Sequence, residues 1–272
     1  MLSFSIDTST CIQCGECVAD CPAGIITMNG YPEITRQDKC FRCQHCYAVC
    51  PTGALSLLGL RAQDAPTIAP ALPTGEQLAH LVSTRRSIRR YRDENLPQEL
   101  INSLLQAACH APTGINAQTV HFTVVRDKDF MNTFRQTMMN RLCAAADADA
   151  LPQGLSGQYL GWVVKEWKTS GRDVALRSAP HLLLTSAPAG TACPLQDTHI
   201  ALTTFELLAA ANGVGTLWDG ILMMALGVCP DLRTMLNIPA DHTLGYAMIF
   251  GWPAVSYHRP VRRGPASINW LG

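Results

Sequence analysis

The chain has 272 residues, 47% of them apolar and 15% charged, which allows a sizeable buried core and excludes a disordered protein. Lys and Arg together number 21, as do Asp and Glu, and this zero balance argues against a nucleic-acid-binding protein. The stretch Met1 to Asp7 has no basic segment followed by an apolar run, so it does not read as a secretion signal. Residues 207–229 carry a single charge, Asp219, but Asn212-Gly213 and Gly215 divide them into a buried helix, a loop and a second helix rather than a membrane span.

Eight of the twelve cysteines precede residue 51. Cys11, Cys14, Cys17 and Cys21 follow the pattern C-x2-C-x2-C-x3-C with Pro22 next; Cys40, Cys43, Cys46 and Cys50 repeat it with Pro51 next. Three thiolates in a tight loop can hold three irons of one cubane, and the fourth cysteine, after a longer gap, points to the other cluster. The expected ligand sets are therefore Cys11, Cys14, Cys17 and Cys50 for one [4Fe–4S] cluster, and Cys40, Cys43, Cys46 and Cys21 for a second. Gly15, Ala19 and Ala48 leave room for the inorganic core, and Val18, Ile25, Val49 and Leu55 shield it from water. Zinc would favour pairs of cysteines across a longer finger. His45, inside the second motif, reads as a surface residue because four thiolates complete the site. The segment 3–59 resembles bacterial two-cluster ferredoxins.

Residues 61–75, rich in proline, read as a linker between a 1–60 module and a 76–272 domain. Thr74 and Gln77 form a capping-box pattern at the start of a helix. A second helix follows Pro97, with Leu100, Ile101, Leu104, Leu105 and Ala108 on one face. Val120, Phe122 and Val124 alternate as a strand, and Leu182 to Thr185 read as a short buried strand. Residues 198–211 form an apolar helix, 213–220 a glycine-rich loop, 231–237 a short helix and Thr243 to Phe250 a strand. Helices mixed with a few strands, without regular β-α alternation, predict an α+β fold rather than a Rossmann fold.

The chemistry of this domain concentrates in Arg85-Arg86-Ser87-Ile88-Arg89-Arg90-Tyr91, where four arginines crowd one helix end. A terminal phosphate suits them, because guanidinium groups bind phosphate oxygens bidentately; a solvated basic turn is the alternative. Two further segments, Ala111 to Gln118 and Gly213 to Gly220, supply amides able to read polar ring edges, and glycines that let backbone approach a flat ligand. With Gly251-Trp252-Pro253 and Arg262-Arg263, the three segments over residues 76–265 resemble the nitroreductase family of FMN enzymes. Thr113 stands where that family has Ser, and Thr119-Val120 follow Gln118 where it often has Pro-Trp.

The resemblance implies that Arg85, Arg86, Ser87 and Arg89 hold the FMN phosphate and the pyrimidine side of the ring, with Arg262 and Arg263 joining at the phosphate. It implies that Asn116 hydrogen-bonds the isoalloxazine with Gln118 nearby, and that backbone of Trp218, Asp219 and Gly220 faces the flavin N5/O4 edge. Family members are intertwined homodimers with FMN at the interface, so helix 198–211 would be a dimer core; a monomer's central helix is equally consistent with its composition. Residues 143–177 read as amphipathic packing, with an aromatic lid of Tyr159, Trp162 and Trp167 as the alternative. Cys109, Cys143, Cys193 and Cys229 have no metal spacing and read as buried structural thiols.

The expected function is that of an FMN-dependent oxidoreductase in the cytoplasm, passing electrons from clusters to FMN and on to a small electrophile such as a nitro compound. No side chain is required as a catalytic acid or base. The donor would be an external ferredoxin or NAD(P)H. Alternatives are an NAD(P)H-driven reductase with the clusters as an electron outlet, a non-enzymatic redox relay or sensor, and, within the family's wider range, reductive removal of halogen or flavin modification.

Overall fold

The computed structural model describes residues 2–66 and 72–272; of the expected 61–75 linker, residues 67–71 lie outside the described residues. The chain divides into two compact units, Met1–Pro73 with Ile115–Ala117, and Thr74–Gly114 with Gln118–Gly272.

In the first unit, β1 (Phe4–Ile6) pairs antiparallel with β4 (Leu55–Leu57), joining the start of the module to its end. β2 (Ile26–Asn29) and β3 (Tyr31–Ile34) form a hairpin turned at Gly30, whose φ of 70° suits glycine. The two cysteine motifs share one backbone path. Gln13 and Arg42 have φ of 57° and 53°, Gly15 and Gln44 have 79° and 64°, and each pair opens a one-turn helix, α1 (Glu16–Ala19) or α2 (His45–Ala48). Ile25, Ile26, Leu55 and Leu57 are buried around Cys17 and Cys46. His45 lies exposed beside Asp20 at 3.3 Å, as expected of a residue outside the ligand set.

The second unit begins with α3 (Gly75–Thr84). It opens on a capping box in which the Gln77 N–H donates to Thr74 Oγ1 and the Thr74 N–H donates to Gln77 Oε1. α4 (Gln98–Ala108), β5 (His121–Val125), α5 (Lys128–Asp147), α6 (Leu155–Ser170), β6 (His181–Pro188) and α7 (Pro194–Ala211) follow. β7 (Gly215–Trp218), α8 (Gly220–Val228), α9 (Asp231–Met235) and β8 (His242–Gly251) complete the order. The strands form one antiparallel sheet, β5-β6-β8-β7, which establishes the α+β class.

The sheet is apolar on both faces because its central strands alternate between two cores. Leu182, Leu184, Ala247 and Ile249 face the core built by α5, α6, α8 and α9. Leu183, Met248 and Phe250 face the core built by α4 and α7. Three elements differ from expectation. β6 runs from His181 to Pro188, longer than 182–185, because ladder pairing with β8 continues past the apolar run. α7 starts at Pro194 rather than 198, since proline fits the first helical turn. The 213–220 loop contains β7, paired with β8 from Gly215 to Trp218.

Residues 143–177 serve packing on one side: Leu160, Val163 and Val164 are buried and Trp167 packs against the core. Tyr159 and Trp162 lie on the outer side with Leu155. Of the four late cysteines, Cys229 is buried, Cys143 and Cys193 are half-buried and Cys109 is exposed, so burial as a group is corrected to one. Among the described residues, no helix is long and apolar enough to cross a membrane.

His181, fully buried, accepts the Leu96 N–H at Nε2 at 2.8 Å. A protonated Nε2 could not accept that bond, and burial pushes the imidazole down to about 4 from an ordinary 6.5. The unfolded chain takes up this proton near 6.5 and the folded chain resists it, so the second unit loses up to about 3 kcal/mol as pH falls from about 6.5 to about 4. All five tryptophans lie in that unit, so urea titration followed by tryptophan fluorescence isolates it. His181→Gln, which keeps an acceptor without titrating, is expected to flatten this part of the pH dependence.

Candidate cluster and cofactor sites

Each expected thiol set lines its own pocket in the first unit. Cys11, Cys14, Cys17 and Cys50 meet beside Ile6 and Leu55; Cys21, Cys40, Cys43 and Cys46 meet beside Ile25 and Leu57. The fourth cysteines are exchanged: Cys21, just after α1, and Cys50, just after α2, each line the pocket of the other motif. Each pocket has a volume of about 20 Å³.

Among the described residues, no three His, Cys, Asp or Glu side chains converge tightly enough to hold a single metal ion. A zinc ion draws sulfurs to about 2.3 Å from itself, whereas a cubane presents four separate irons to sulfurs spread around it. Four thiols spread around each pocket are a donor set that fits a cluster. Burial pushes the Cys17 thiol up, and the Cys46 thiol up to about 11. Burial also works to raise Cys50, but hydrogen bonds from backbone around Leu55 and from the Thr52 hydroxyl bring it down overall.

In the second unit the arginine run is extended and stitched to the sheet. The Ile88 N–H donates to Thr216 O at 2.8 Å, the Arg92 N–H to Trp252 O at 2.9 Å, and the Ala254 N–H to Arg90 O at 2.9 Å. Ser87 pairs with Thr216 in parallel register, and Tyr91 with Pro253 in antiparallel register. Gly215 permits this approach: a Cβ there would stand 2.6 Å from Ile88 Cγ1. The glycine here serves the protein's own packing. Gly220 likewise makes room for the Tyr246 hydroxyl.

The stitched run places Arg85 and Arg86 in a cleft of about 570 Å³ with α3 on one side and Val261 and Arg263 on another. Sites for small cofactors occupy roughly 300–1,000 Å³, so size and charge suit a phosphate-bearing ligand. Arg85 also has a protein partner: its Nη1 lies 2.8 Å from Oε1 of the buried Glu206 on α7. Arg86 and Arg263 are thus the cleft's guanidinium groups without a recorded carboxylate partner among the described residues. Ser87 is half-buried, Arg89 is exposed with Nη1 3.5 Å from Ser87 O, and Arg262 is exposed in the tail and does not line the cleft.

Trp218 stacks with His199 at 6.1 Å and tilts against Tyr246 at 5.4 Å. The Asp219 N–H donates to Ala247 O at 2.8 Å. Ile115, Asn116 and Gln118 have φ of 50°, 57° and 52°, a concentration of left-handed backbone that favours a functional turn. Thr113, in the place of the family's serine, accepts the Gln118 N–H at 3.0 Å. Gln118 lines a small pocket with Cys109, Thr113 and Phe122, apart from the arginine cleft.

Sequence reasoning missed Glu206 and Asp197. Asp197 is 2% exposed and accepts the Gly114 N–H at 2.9 Å, fixing the start of that turn. Their signal was an acidic residue inside an otherwise apolar helix. Gly215→Ala is expected to destabilise the second unit by about 1–3 kcal/mol, because a new Cβ displaces Ile88. Combining it with Ile88→Ala should recover part of that loss in the same urea titration.

A family model described as "Nitroreductase family" matches residues 82–252, and one described as "4Fe-4S dicluster domain" matches residues 10–55. A putative NADH dehydrogenase/NAD(P)H nitroreductase of Methanothermobacter thermautotrophicus is 27% identical over 174 residues, covering 64% of this chain and 75% of that protein. Iodotyrosine deiodinase of Danio rerio is 26% identical over 198 residues, covering 69% and 64%. The fold is similar to a Bacteroides fragilis nitroreductase with bound FMN at a TM-score of 0.56 and 22% identity, over 71% of this chain and 98% of that one. With the match spanning well over half its length, the chain belongs to the nitroreductase family and carries a 4Fe–4S domain at its N-terminal end.

Proposed function

We propose that this protein is an FMN-dependent oxidoreductase in which two [4Fe–4S] clusters of a 1–60 module, joined through a 61–75 linker, supply electrons to a 76–272 reductase domain acting on a small electrophile. The sorting of eight thiols into two four-thiol pockets carries the two-cluster reading. Clusters supply single electrons, and FMN converts between single electrons and the pairs that nitro groups or activated alkenes require.

Arg86 and Arg263 hold the FMN phosphate in the cleft, with Arg85 sharing its charge between phosphate and Glu206. Ser87 and Arg89 continue along the sheet edge toward the pyrimidine side, with Arg262 as a peripheral partner. Trp218, Asp219 and Gly220 flank the N5/O4 edge, and Asn116 and Gln118 contact the ring. Gln118 and the arginines line separate pockets of one chain, which favours a homodimer in which the 111–118 turn of one subunit completes the site of the other.

The relative of Methanothermobacter thermautotrophicus, described as a putative NADH dehydrogenase/NAD(P)H nitroreductase, supports a second reading of the donor, NAD(P)H in place of a ferredoxin. Anaerobic mixing of the cluster-loaded protein with reduced ferredoxin or with NAD(P)H, followed at the flavin band, separates the two. Fast bleaching by ferredoxin alone is the expected outcome; fast bleaching by NAD(P)H alone makes the clusters an outlet. Steady turnover of a nitro acceptor well above that of free FMN separates an enzyme from a relay.

Arg86→Ala and Arg263→Ala should each weaken FMN binding about ten- to a hundredfold, read by flavin fluorescence, as one charge-assisted bond is lost. Cys14→Ala and Cys43→Ala should each remove about half of the roughly eight irons bound per chain. Undiminished iron in either variant would sink the ligand assignment.

A further inference from the structure

The apolar face of α7 carries one carboxylate where packing alone would choose a hydrocarbon. The Glu206 side chain is 8% exposed and shares that face with Leu202 and Ala209, both fully buried. An ionised group at such a position is costly unless a charge answers it. Arg85 does so, with Nη1 2.8 Å from Glu206 Oε1.

Arg85 is held at both ends. Its N–H donates to Leu81 O at 2.9 Å and closes α3, while its guanidinium reaches α7, against which α3 packs. The same arginine lines the cleft of about 570 Å³ together with Arg86 and Arg263. Glu206 thus touches the cleft's charge through Arg85, from within the core.

The remaining lining of the cleft adds little for an anion. α3 presents its C-terminal half there, the end at which a helix dipole is negative. Ser83 lines the cleft but donates its hydroxyl to His80 O at 2.9 Å. Among the described residues the three arginines are the charged side chains of the lining. They bring one positive charge each and Glu206 removes one, which leaves two. A phosphate monoester carries a charge of about −1.5 to −2 at pH 7, so the two sides balance.

We propose that Glu206 is a positioning residue and a counterweight for the phosphate cleft: it fixes the direction of Arg85 while cancelling its charge, so that the cleft matches a phosphate monoester dianion instead of overbinding it. The proposal rests on the FMN reading above and names the residue that limits the cofactor's affinity. A spare positive charge beside the phosphate would deepen the attraction and slow release, so Glu206 keeps the cofactor exchangeable.

Glu206→Gln keeps an oxygen for the Arg85 guanidinium and removes the negative charge. Equilibrium dialysis of the full cluster-loaded chain, stripped of flavin, against FMN and against riboflavin, which lacks the phosphate, reads the effect. The variant is expected to bind FMN about tenfold more tightly than the native chain and to bind riboflavin as the native chain does. A residue that merely supported the fold would give the opposite sign. Equal or weaker FMN binding by the folded variant, or an equal gain for riboflavin, would overturn the proposal and leave the cofactor reading standing. A native chain that binds FMN no better than riboflavin would overturn the phosphate assignment and the proposal together. Should the glutamine variant fail to fold, Val261→Lys decides, because Val261 lines the cleft and is exposed, so a charge enters without touching the buried pair. The same selective tightening of FMN supports a cleft limited by its net charge; unchanged FMN binding overturns it.

Discussion

The pairing of β6 with β8 is the interaction on which the second unit depends. Both strands are buried on both faces, so each successive side chain must find a core on alternate sides. That requirement calls for helices above and below, and α4 with α7 and α5 with α8 meet it. It also leaves β8 with a free edge toward β7, and β7 with an edge toward the arginine run. The cleft is thus the last layer of a chain of backbone pairings that begins in the core. A charged segment is extended there because Thr216 and Trp252 offer it carbonyl partners, not because its own residues favour strand.

Arginines so placed must be balanced in some way, and the protein does this unevenly. Glu206, buried within α7, answers Arg85 at 2.8 Å. Breaking such a pair would leave a charge stranded in low dielectric, so Arg85 is held in place whether or not a ligand is present. Arg86 and Arg263 have no such anchor among the described residues. One arginine therefore gives the cleft a fixed shape, and the others give it appetite for an anion.

Much of this was legible in the sequence. The cysteine spacing specified which thiols belong together, because a three-residue gap after a tight loop sends the fourth sulfur elsewhere, and the pockets sort the same eight residues. The capping box at Thr74 and the alternation of Val120, Phe122 and Val124 were readable because they depend on neighbours in sequence. What escaped reading depends on distant partners. Gly215 looks like a residue of a flexible loop until Ile88 is seen against it. Glu206 looks like a solvated position until Arg85 reaches it across 121 residues. Cys109 looked as buried as any thiol, but its helix end faces outward.

The crossed sorting of cysteines also sets an order of construction. A chain emerging from the ribosome exposes Cys11, Cys14 and Cys17 first, yet their pocket stays open until Cys50 follows. The pocket of Cys21, Cys40, Cys43 and Cys46 is complete four residues sooner, although it starts later. Neither half of the duplication can be finished by itself, so a nascent chain cut short before residue 46 has no complete set of thiols to offer iron. The interlock ties the two halves together in synthesis, since each set of thiols draws on both.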